Sequence, residues 1–108
     1  MELERLLKAF CEPMRLKIYL CLLERKHCVR SLAKKLGITE SAISQHLKIL
    51  REAGLIYGEK FGYHTHYLPK QEAIDYLASS VIRMQQKSKE ADRDVTVCQC
   101  EFRKEEQA

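Results

Sequence analysis

Two cysteines late in the chain, Cys98 and Cys100, are separated by a single glutamine within the segment VTVCQCEF. In an extended segment, residues two positions apart point to the same side, with Cα atoms about 6.5 to 7 Å apart. Both thiolates can then reach one soft ion, at about 2.3 Å from each sulfur. The spacing predicts a two-thiolate clamp for a soft ion such as zinc, cadmium, copper(I) or trivalent arsenic.

Such ions take three or four ligands, so the cysteine pair requires a further one. The candidates are Cys11, Cys28 and a thiol of a second subunit. Two other interpretations stay open: oxidation or persulfidation of an exposed dithiol, and a tail whose thiols have no function. A direct Cys98–Cys100 disulfide would close a small strained ring, so we expect oxidation to link either thiol to another cysteine.

A second pair of metal-binding side chains, His64 and His66, lies two positions apart in FGYHTHY. No acidic or thiol partner accompanies this pair, so a polar face on a hairpin explains it better than a metal site does. The sequence also has no Ser/Cys–His–Asp arrangement and no glycine-rich elbow to support a nucleophile. We therefore expect the protein not to be an enzyme.

The size and charge of the chain indicate one small domain with a basic centre. The chain has 108 residues and a net charge of +4, and residues 24–60 hold eight lysines and arginines against four acidic residues. The N-terminus is charged from Glu2, and no apolar run approaches the ~20 residues of a membrane span. We expect a cytoplasmic protein with no membrane contact, in which the five cysteines are reduced.

The periodicity of apolar residues predicts four helices in the first half of the chain. The second, which follows Pro13, is apolar nearly all round, so we expect it to be the most buried. The third is stopped by Gly37, and the fourth begins at the N-cap Thr39 and ends at Gly54. Two helices joined by a tight turn, the second polar and basic on its exposed side, are typical of a helix-turn-helix.

The segment LIYGEKFGYHTHYLP is rich in aromatic and β-branched residues and predicts a β-hairpin around Gly62. A last amphipathic helix is expected from Gln71 to about Lys89, and VTVCQCEF is expected to form a short extended piece. The predicted fold class is mainly α with a small β-hairpin wing. We predict a winged helix-turn-helix domain over 1–92, dimerising through its first and last helices, and a cysteine-containing tail over 93–108.

Three segments resemble the ArsR/SmtB family of metalloregulatory repressors: CEPMRLKIY, TESAISQHLKILREAGLI and FGYHTHY. The resemblance implies a dimeric repressor that binds a double-stranded DNA operator. Many members of that family sense a metal through a cysteine-valine-cysteine motif, which HCVRSLA matches at Cys28 but not at Arg30. The family's Asp and His site on the last helix has no counterpart here beyond Asp75, so the tail cysteines are the better candidate for the inducer.

The polar face of the fourth helix is expected to read bases, and the basic residues around it are expected to contact phosphates. His46 is ambiguous, because it either touches a phosphate or packs at the helix edge. The function predicted is a repressor released from DNA by a soft metal or metalloid (trivalent arsenic, cadmium or zinc), with no constitutive cofactor. The alternatives are a repressor switched by thiol oxidation or persulfidation, and a protein-interaction module that does not bind DNA. The residues assigned to base edges are Ser41, Ser44 and Gln45; those assigned to phosphates are Lys34, Lys35, Lys48 and Arg51; those assigned to wing contacts are Lys60 and Tyr63.

Overall fold

The computed structural model of the chain describes residues 2–96, 98 and 100. Five helices and one two-stranded antiparallel sheet make up this part of the chain. Their arrangement confirms the predicted winged helix-turn-helix. The elements are α1 (Leu3–Ala9), α2 (Pro13–Glu24), α3 (Val29–Leu36), α4 (Glu40–Glu52), β1 (Ile56–Phe61), β2 (His64–Pro69) and α5 (Gln71–Glu90).

The turn between α3 and α4 is set by the residues that end one helix and begin the next. Gly37 adopts φ 70°, a left-handed conformation that glycine tolerates at a helix end. Two residues later, the Thr39 hydroxyl accepts a hydrogen bond from the backbone N–H of Ala42 at 3.1 Å. This side chain therefore caps α4, as predicted.

One hydrophobic core joins the first four helices to the base of the hairpin. The α3–α4 pair contributes Leu32, Ile43 and Leu47, and Leu55 and Ile56 extend the core into β1; all five are at most 2% exposed. On α4, the buried residues Ile43, Leu47 and Leu50 therefore lie on one side of the helix. The other side of α4 is left to solvent.

The hairpin is anchored to the helices by a short additional strand contact. His27, just before α3, exchanges two backbone hydrogen bonds with Tyr67 of β2, at 3.4 and 2.8 Å. Within the hairpin, a Cβ added to Gly58 of β1 would lie 2.9 Å from the Thr65 side chain and 3.3 Å from the ring of Tyr67. Glycine at position 58 thus allows Tyr67 to lie across β1.

As predicted, α2 has the most buried residues of the helices in the described part of the chain, four in all, but one apolar side of it is exposed. Leu16, Leu20 and Leu23 are 39%, 50% and 46% exposed; we call these three residues the α2 stripe. They lie at positions i, i+4 and i+7, on one side of the helix. The apolar residues of α2 were correctly identified, but one chain covers only part of its surface.

The last helix is also only partly covered. It packs on the body as far as Ser80, which is 3% exposed, and every residue from Val81 to Glu90 is exposed. No helix within the described residues is long and apolar enough to cross a membrane.

The extended piece predicted for VTVCQCEF falls largely outside the described residues, which omit 97, 99 and 101–108. Val95 and Thr96 lie in a turn, with the Thr96 N–H bonded to the Asp94 carboxylate at 2.9 Å. The division into a domain over 1–92 and a tail over 93–108 stays a prediction.

Candidate nucleic-acid interface

The side of α4 opposite the core presents a continuous polar surface. Ser41, Ser44, Gln45 and Lys48 are all exposed, and their spacing places them on one side of the helix. We call these four residues the reading face. The other side of α4 packs into the core through Ile43, Leu47 and Leu50. These contacts hold the reading face toward solvent.

The cations assigned to phosphates lie around the reading face. Lys34 and Arg51 are exposed, at the last turns of α3 and α4. Lys35 is exposed as well, but its ammonium lies 3.9 Å from the Glu24 carboxylate. An exposed ion pair of this length contributes little free energy, so Lys35 can exchange this partner for a phosphate.

The wing presents its tip to solvent. Gly62 adopts φ 66° in the turn between the strands, and Tyr63 beside it is fully exposed, at 105% of the reference area. Lys60 is exposed one position before Phe61, whose ring has the Lys26 ammonium 5.8 Å from its centroid. The tip is therefore aromatic and basic.

Arg30 was missed as a candidate DNA contact. In the sequence it appeared only as the residue that interrupts a cysteine pair. It is exposed in the first turn of α3 and lines a shallow cleft together with Tyr63 and His64 of the wing. No local signal pointed to this position, because the two segments are more than thirty residues apart in the chain.

His46 lies apart from the reading face. Its side chain is only 19% exposed, and its Nε2 lies 3.6 Å from the Glu12 carboxylate at the start of α2. Its Nδ1 lies 3.5 Å from the Arg15 guanidinium. The His46 ring thus packs against the start of α2, and its assignment as a phosphate contact stays a prediction.

Three cysteines of the helical body are in different environments. Cys21 is buried, as expected for a core residue, and Cys11 is exposed with its thiol 3.6 Å from the Leu7 carbonyl. Cys28 is the N-cap of α3, where its sulfur accepts the backbone N–H of Ser31 at 3.5 Å. This hydrogen bond lowers the pKa of the Cys28 thiol, and burial opposes the effect only in part. Cys28 therefore ionises more readily than an ordinary cysteine thiol.

The tail thiols Cys98 and Cys100 are both exposed. The hydrogen bond between their side chains lowers the pKa of Cys98 and raises that of Cys100. One proton therefore leaves the pair more easily than the other. Across residues 2–96, 98 and 100, no three His, Cys, Asp or Glu side chains lie close enough together to hold a metal ion. Cys11 and Cys28 therefore do not lie beside the pair within one chain, and their role as further ligands stays a prediction.

Comparison with known proteins identifies the family. Residues 12–57 match the family described as bacterial regulatory protein, arsR family. The arsenical resistance operon repressor of Bacillus subtilis is 38% identical over 77 residues, which cover 70% of this chain and 73% of the relative. The HTH-type transcriptional repressor SmtB of Mycobacterium tuberculosis is 42% identical over 62 residues, covering 57% of this chain and 46% of the relative.

The chain is also similar in fold and sequence to a solved structure. Reduced HlyU from Vibrio cholerae N16961 is similar with a TM-score of 0.62 and 31% identity, over 74% of this chain and 84% of that one. The chain spans about half the length of the first curated relatives it matches. The relatives named here by activity are repressors rather than enzymes. The match to the Bacillus repressor, which extends over most of both proteins, shows that the chain belongs to the ArsR family.

Proposed function

We propose that this protein is a transcriptional repressor that binds duplex DNA as a homodimer. The observation that carries the proposal is the reading face: four polar residues on the exposed side of a helix whose other side is fixed in the core. A helix held in this way can enter the major groove, where each base pair presents its own pattern of donors and acceptors. A protein-interaction module would not need the surrounding basic residues.

Within this proposal, the polar residues divide by chemistry. The Gln45 amide makes a paired contact with adenine, and the Ser41 and Ser44 hydroxyls reach neighbouring base edges. Lys48 and Arg51 neutralise phosphates, and Arg30 joins them from the start of α3. Lys60 and Tyr63 at the wing contact the adjacent backbone or minor groove.

The dimer surface combines the α2 stripe with the uncovered half of α5. Val81, Ile82 and Met84 are 56%, 52% and 49% exposed on that half of α5, and Leu7 of α1 is 47% exposed. Stripes of this kind usually pack against a second copy. The predicted surface of first and last helices therefore gains α2 as a third contributor.

The DNA-binding proposal is tested by salt dependence. Lys48→Ala should weaken binding to every duplex and reduce the slope of log K against log salt by about 1. Lys17→Ala, at an exposed position of α2 outside the α2 stripe, is the matched control and should leave the slope unchanged. An unchanged slope for Lys48→Ala would remove its phosphate role, and no binding to any duplex would remove the proposed function.

The inducer in this proposal is a soft metal or metalloid bound by Cys98 and Cys100. The adjacent exposed thiols support the site, and the matched Bacillus relative is named for arsenical resistance. Among the described residues of one chain, no third His, Cys, Asp or Glu lies with this pair, and two ligands are fewer than such ions take. The proposal therefore assigns the remaining ligand to a thiol of the second subunit.

Thiol oxidation is the second candidate switch. The lowered pKa values of Cys28 and Cys98 favour it, because the thiolate is the form that reacts with oxidants and persulfides. In this version, oxidation links one tail thiol to another cysteine and changes the orientation of the two reading faces. It needs no third metal ligand.

One titration separates the two switches. Operator binding is measured while arsenite, cadmium, zinc or hydrogen peroxide is added to the parent and to the Cys98→Ser/Cys100→Ser variant. Release of the parent by a metal or arsenite, lost in the variant, supports the metal switch; release by peroxide alone supports oxidation. Cys11→Ser, titrated in the same way, tests whether that exposed thiol supplies the remaining ligand or the disulfide partner. If the double variant is released like the parent, the tail is not the sensor.

A further inference from the structure

His46 occupies the middle of α4, yet its side chain turns away from the exposed side of that helix. Gln45 and Lys48 are exposed, whereas the His46 side chain is 19% exposed and lies against the start of α2. We propose that His46 is a positioning residue, whose neutral ring sets how the reading face sits on α2 without contacting DNA. The proposal rests on the DNA-binding function proposed above.

The two ring nitrogens face groups of opposite character. Nδ1 lies 3.5 Å from Nη1 of Arg15, and Nε2 lies 3.6 Å from Oε2 of Glu12. A guanidinium only donates hydrogen bonds, so Nδ1 must be the acceptor. The ring proton then sits on Nε2, toward the carboxylate. Both contacts are therefore favourable for one tautomer of the neutral ring.

Both partners of the ring are themselves held by backbone. The Glu12 carboxylate caps α2 by accepting the Arg15 N–H at 2.9 Å, from the same oxygen that faces His46. The Arg15 side chain donates through Nε to the Ala9 carbonyl at the end of α1. The imidazole is thus the point at which α4 meets α1 and α2 through polar groups.

The position of the ring bears directly on base reading. His46 immediately follows Ser44 and Gln45, so a rotation of α4 that moves the ring also moves both of these side chains. Base-edge hydrogen bonds weaken steeply when their distance or angle departs from the favourable range. Loss of the His46 contacts should therefore lower affinity for the operator, and lower it more than affinity for unrelated DNA.

The charge of the ring changes the contact. Protonation turns Nδ1 into a donor opposite the Arg15 guanidinium, while attraction between Nε2 and Glu12 increases. Glu12 and Arg15, both of α2, are the charged groups that face the ring among the described residues. Burial raises the pKa of the Glu12 carboxyl, but backbone N–H groups of Arg15 and Met14 and the charges of His46 and Arg15 hold it below its ordinary value. Glu12 thus stays ionised over pH 5 to 8, the range in which histidines titrate.

The first test is a double-mutant cycle read by operator binding across pH 5 to 8. His46→Gln and Glu12→Gln should each weaken operator binding about three- to tenfold at pH 8, and the double variant should lose no more than the larger single loss. The salt slope should stay that of the parent, because no phosphate contact is removed. In the control His64→Gln, which leaves the His46 contacts in place, Glu12→Gln should still weaken operator binding as it does in the parent.

Two results would overturn the positioning role. Additive losses in the cycle would show that His46 and Glu12 act independently, and a salt slope reduced by about 1 in His46→Gln would return His46 to a phosphate contact. Unfolding is followed for each variant, so that a general loss of stability is separated from a change in binding.

The second test needs no DNA. The nitrogen chemical shifts of the His46 ring, measured by NMR on the free protein at pH 8, should report the tautomer protonated at Nε2. Protonation at Nδ1, or both tautomers in exchange, would contradict the geometry. If the chain binds no duplex, the proposed function fails, but the NMR measurement of the tautomer still tests the contacts of His46 with Glu12 and Arg15. If it binds DNA and His46→Gln binds like the parent, the positioning role fails alone.

Discussion

The two longest helices, α4 and α5, differ in how much of their surface the chain itself covers. On α4, Ile43, Leu47 and Leu50 are at most 2% exposed, so the side of the helix that these three residues share is packed, and only Ile49, at 41%, is an exposed large apolar residue. On α5, burial ends at Ser80, and everything from Val81 to Glu90 is exposed. One chain therefore covers the core-facing side of α4, but it leaves the outer half of α5 uncovered.

This difference separates the DNA-reading part of the protein from the part proposed to dimerise. The placement of α4 depends on contacts within one chain and should not vary with protein concentration. In the proposed dimer, the outer half of α5 and the α2 stripe are buried only when a second copy is present, so their stability follows mass action. An effector that changes the dimer can then reorient two intact reading faces without unfolding either.

The largest effect is expected where α4 meets the core. Leu47→Ala removes a side chain that is 2% exposed and should lower the free energy of unfolding by about 2–5 kcal/mol. Lys48→Ala, one position along on the reading face, should change it by less than about 0.5 kcal/mol. Urea unfolding at one fixed protein concentration measures both. Equal values for the two variants would contradict the packing described for α4.

A second substitution addresses the uncovered region. Leu20→Glu places a charge in the α2 stripe, which should convert the dimer to a monomer while leaving the helical content intact, because Leu20 is 50% exposed in one chain. Operator affinity should fall at least about tenfold, since each monomer reaches one half-site. Sedimentation velocity and anisotropy measure the two effects.

The control for this substitution is Lys17→Glu, at an exposed polar position of the same helix. It should sediment like the parent. A Leu20→Glu variant that remains dimeric would exclude the α2 stripe from the interface, leaving the first and last helices as the surface to test.

Most of the fold could be predicted because its signals are local. Gly37 and Thr39 mark a helix end and a helix start by their own backbone chemistry, and both do so in the structure. Gly62 marks the hairpin turn in the same way. The apolar positions of α4 repeat with a helical period, so its buried side followed from the sequence.

Other features could not be predicted because they depend on contacts between distant segments. The α2 stripe consists of leucines that resemble core residues in sequence, since an apolar pattern does not distinguish a core from a subunit interface. His46 and Glu12 are brought together by tertiary packing, and so are Arg30 and the wing. Each pair is formed by side chains with no shared local motif.

A third prediction concerns pH and the joint between the wing and α3. His27 is 8% exposed, with Nδ1 at 2.9 Å from the Ser31 hydroxyl. Burial first, and then the charges of Lys35 and Arg25, lower its pKa. The unfolded chain binds a proton here below about pH 6.5, whereas the folded chain does so only at lower pH. Stability should therefore be full above that pH and fall as the pH drops below it.

Thermal unfolding between pH 5 and 7.5 measures this effect as the difference between the parent and His27→Gln. The parent should lose more stability than the variant over this range. His64→Gln, at an exposed wing histidine, should follow the parent. Parallel curves for the parent and His27→Gln would show that His27 does not titrate differently on folding.

The smallest effect is expected at Tyr19, which links α2 to α1. Its ring packs on Phe10 with centroids 4.9 Å apart, and its hydroxyl is buried without a hydrogen-bond partner among the described residues. Burial raises the pKa of Tyr19 to about 12. Tyr19→Phe keeps the ring and removes the unpaired hydroxyl, so the free energy of unfolding should stay the same or rise by up to about 1 kcal/mol.

The free energy of unfolding of Tyr19→Phe, measured at several protein concentrations, tests whether a second copy contacts the Tyr19 hydroxyl. If Tyr19→Phe is neutral or stabilising at every concentration, the hydroxyl has no partner in the monomer or in the dimer. If it destabilises only at concentrations where the chain is dimeric, the second copy supplies that partner, and the interface extends from the α2 stripe toward α1. The control is Tyr57→Phe in the wing, where the side chain is 38% exposed. This substitution removes a hydroxyl that water already solvates.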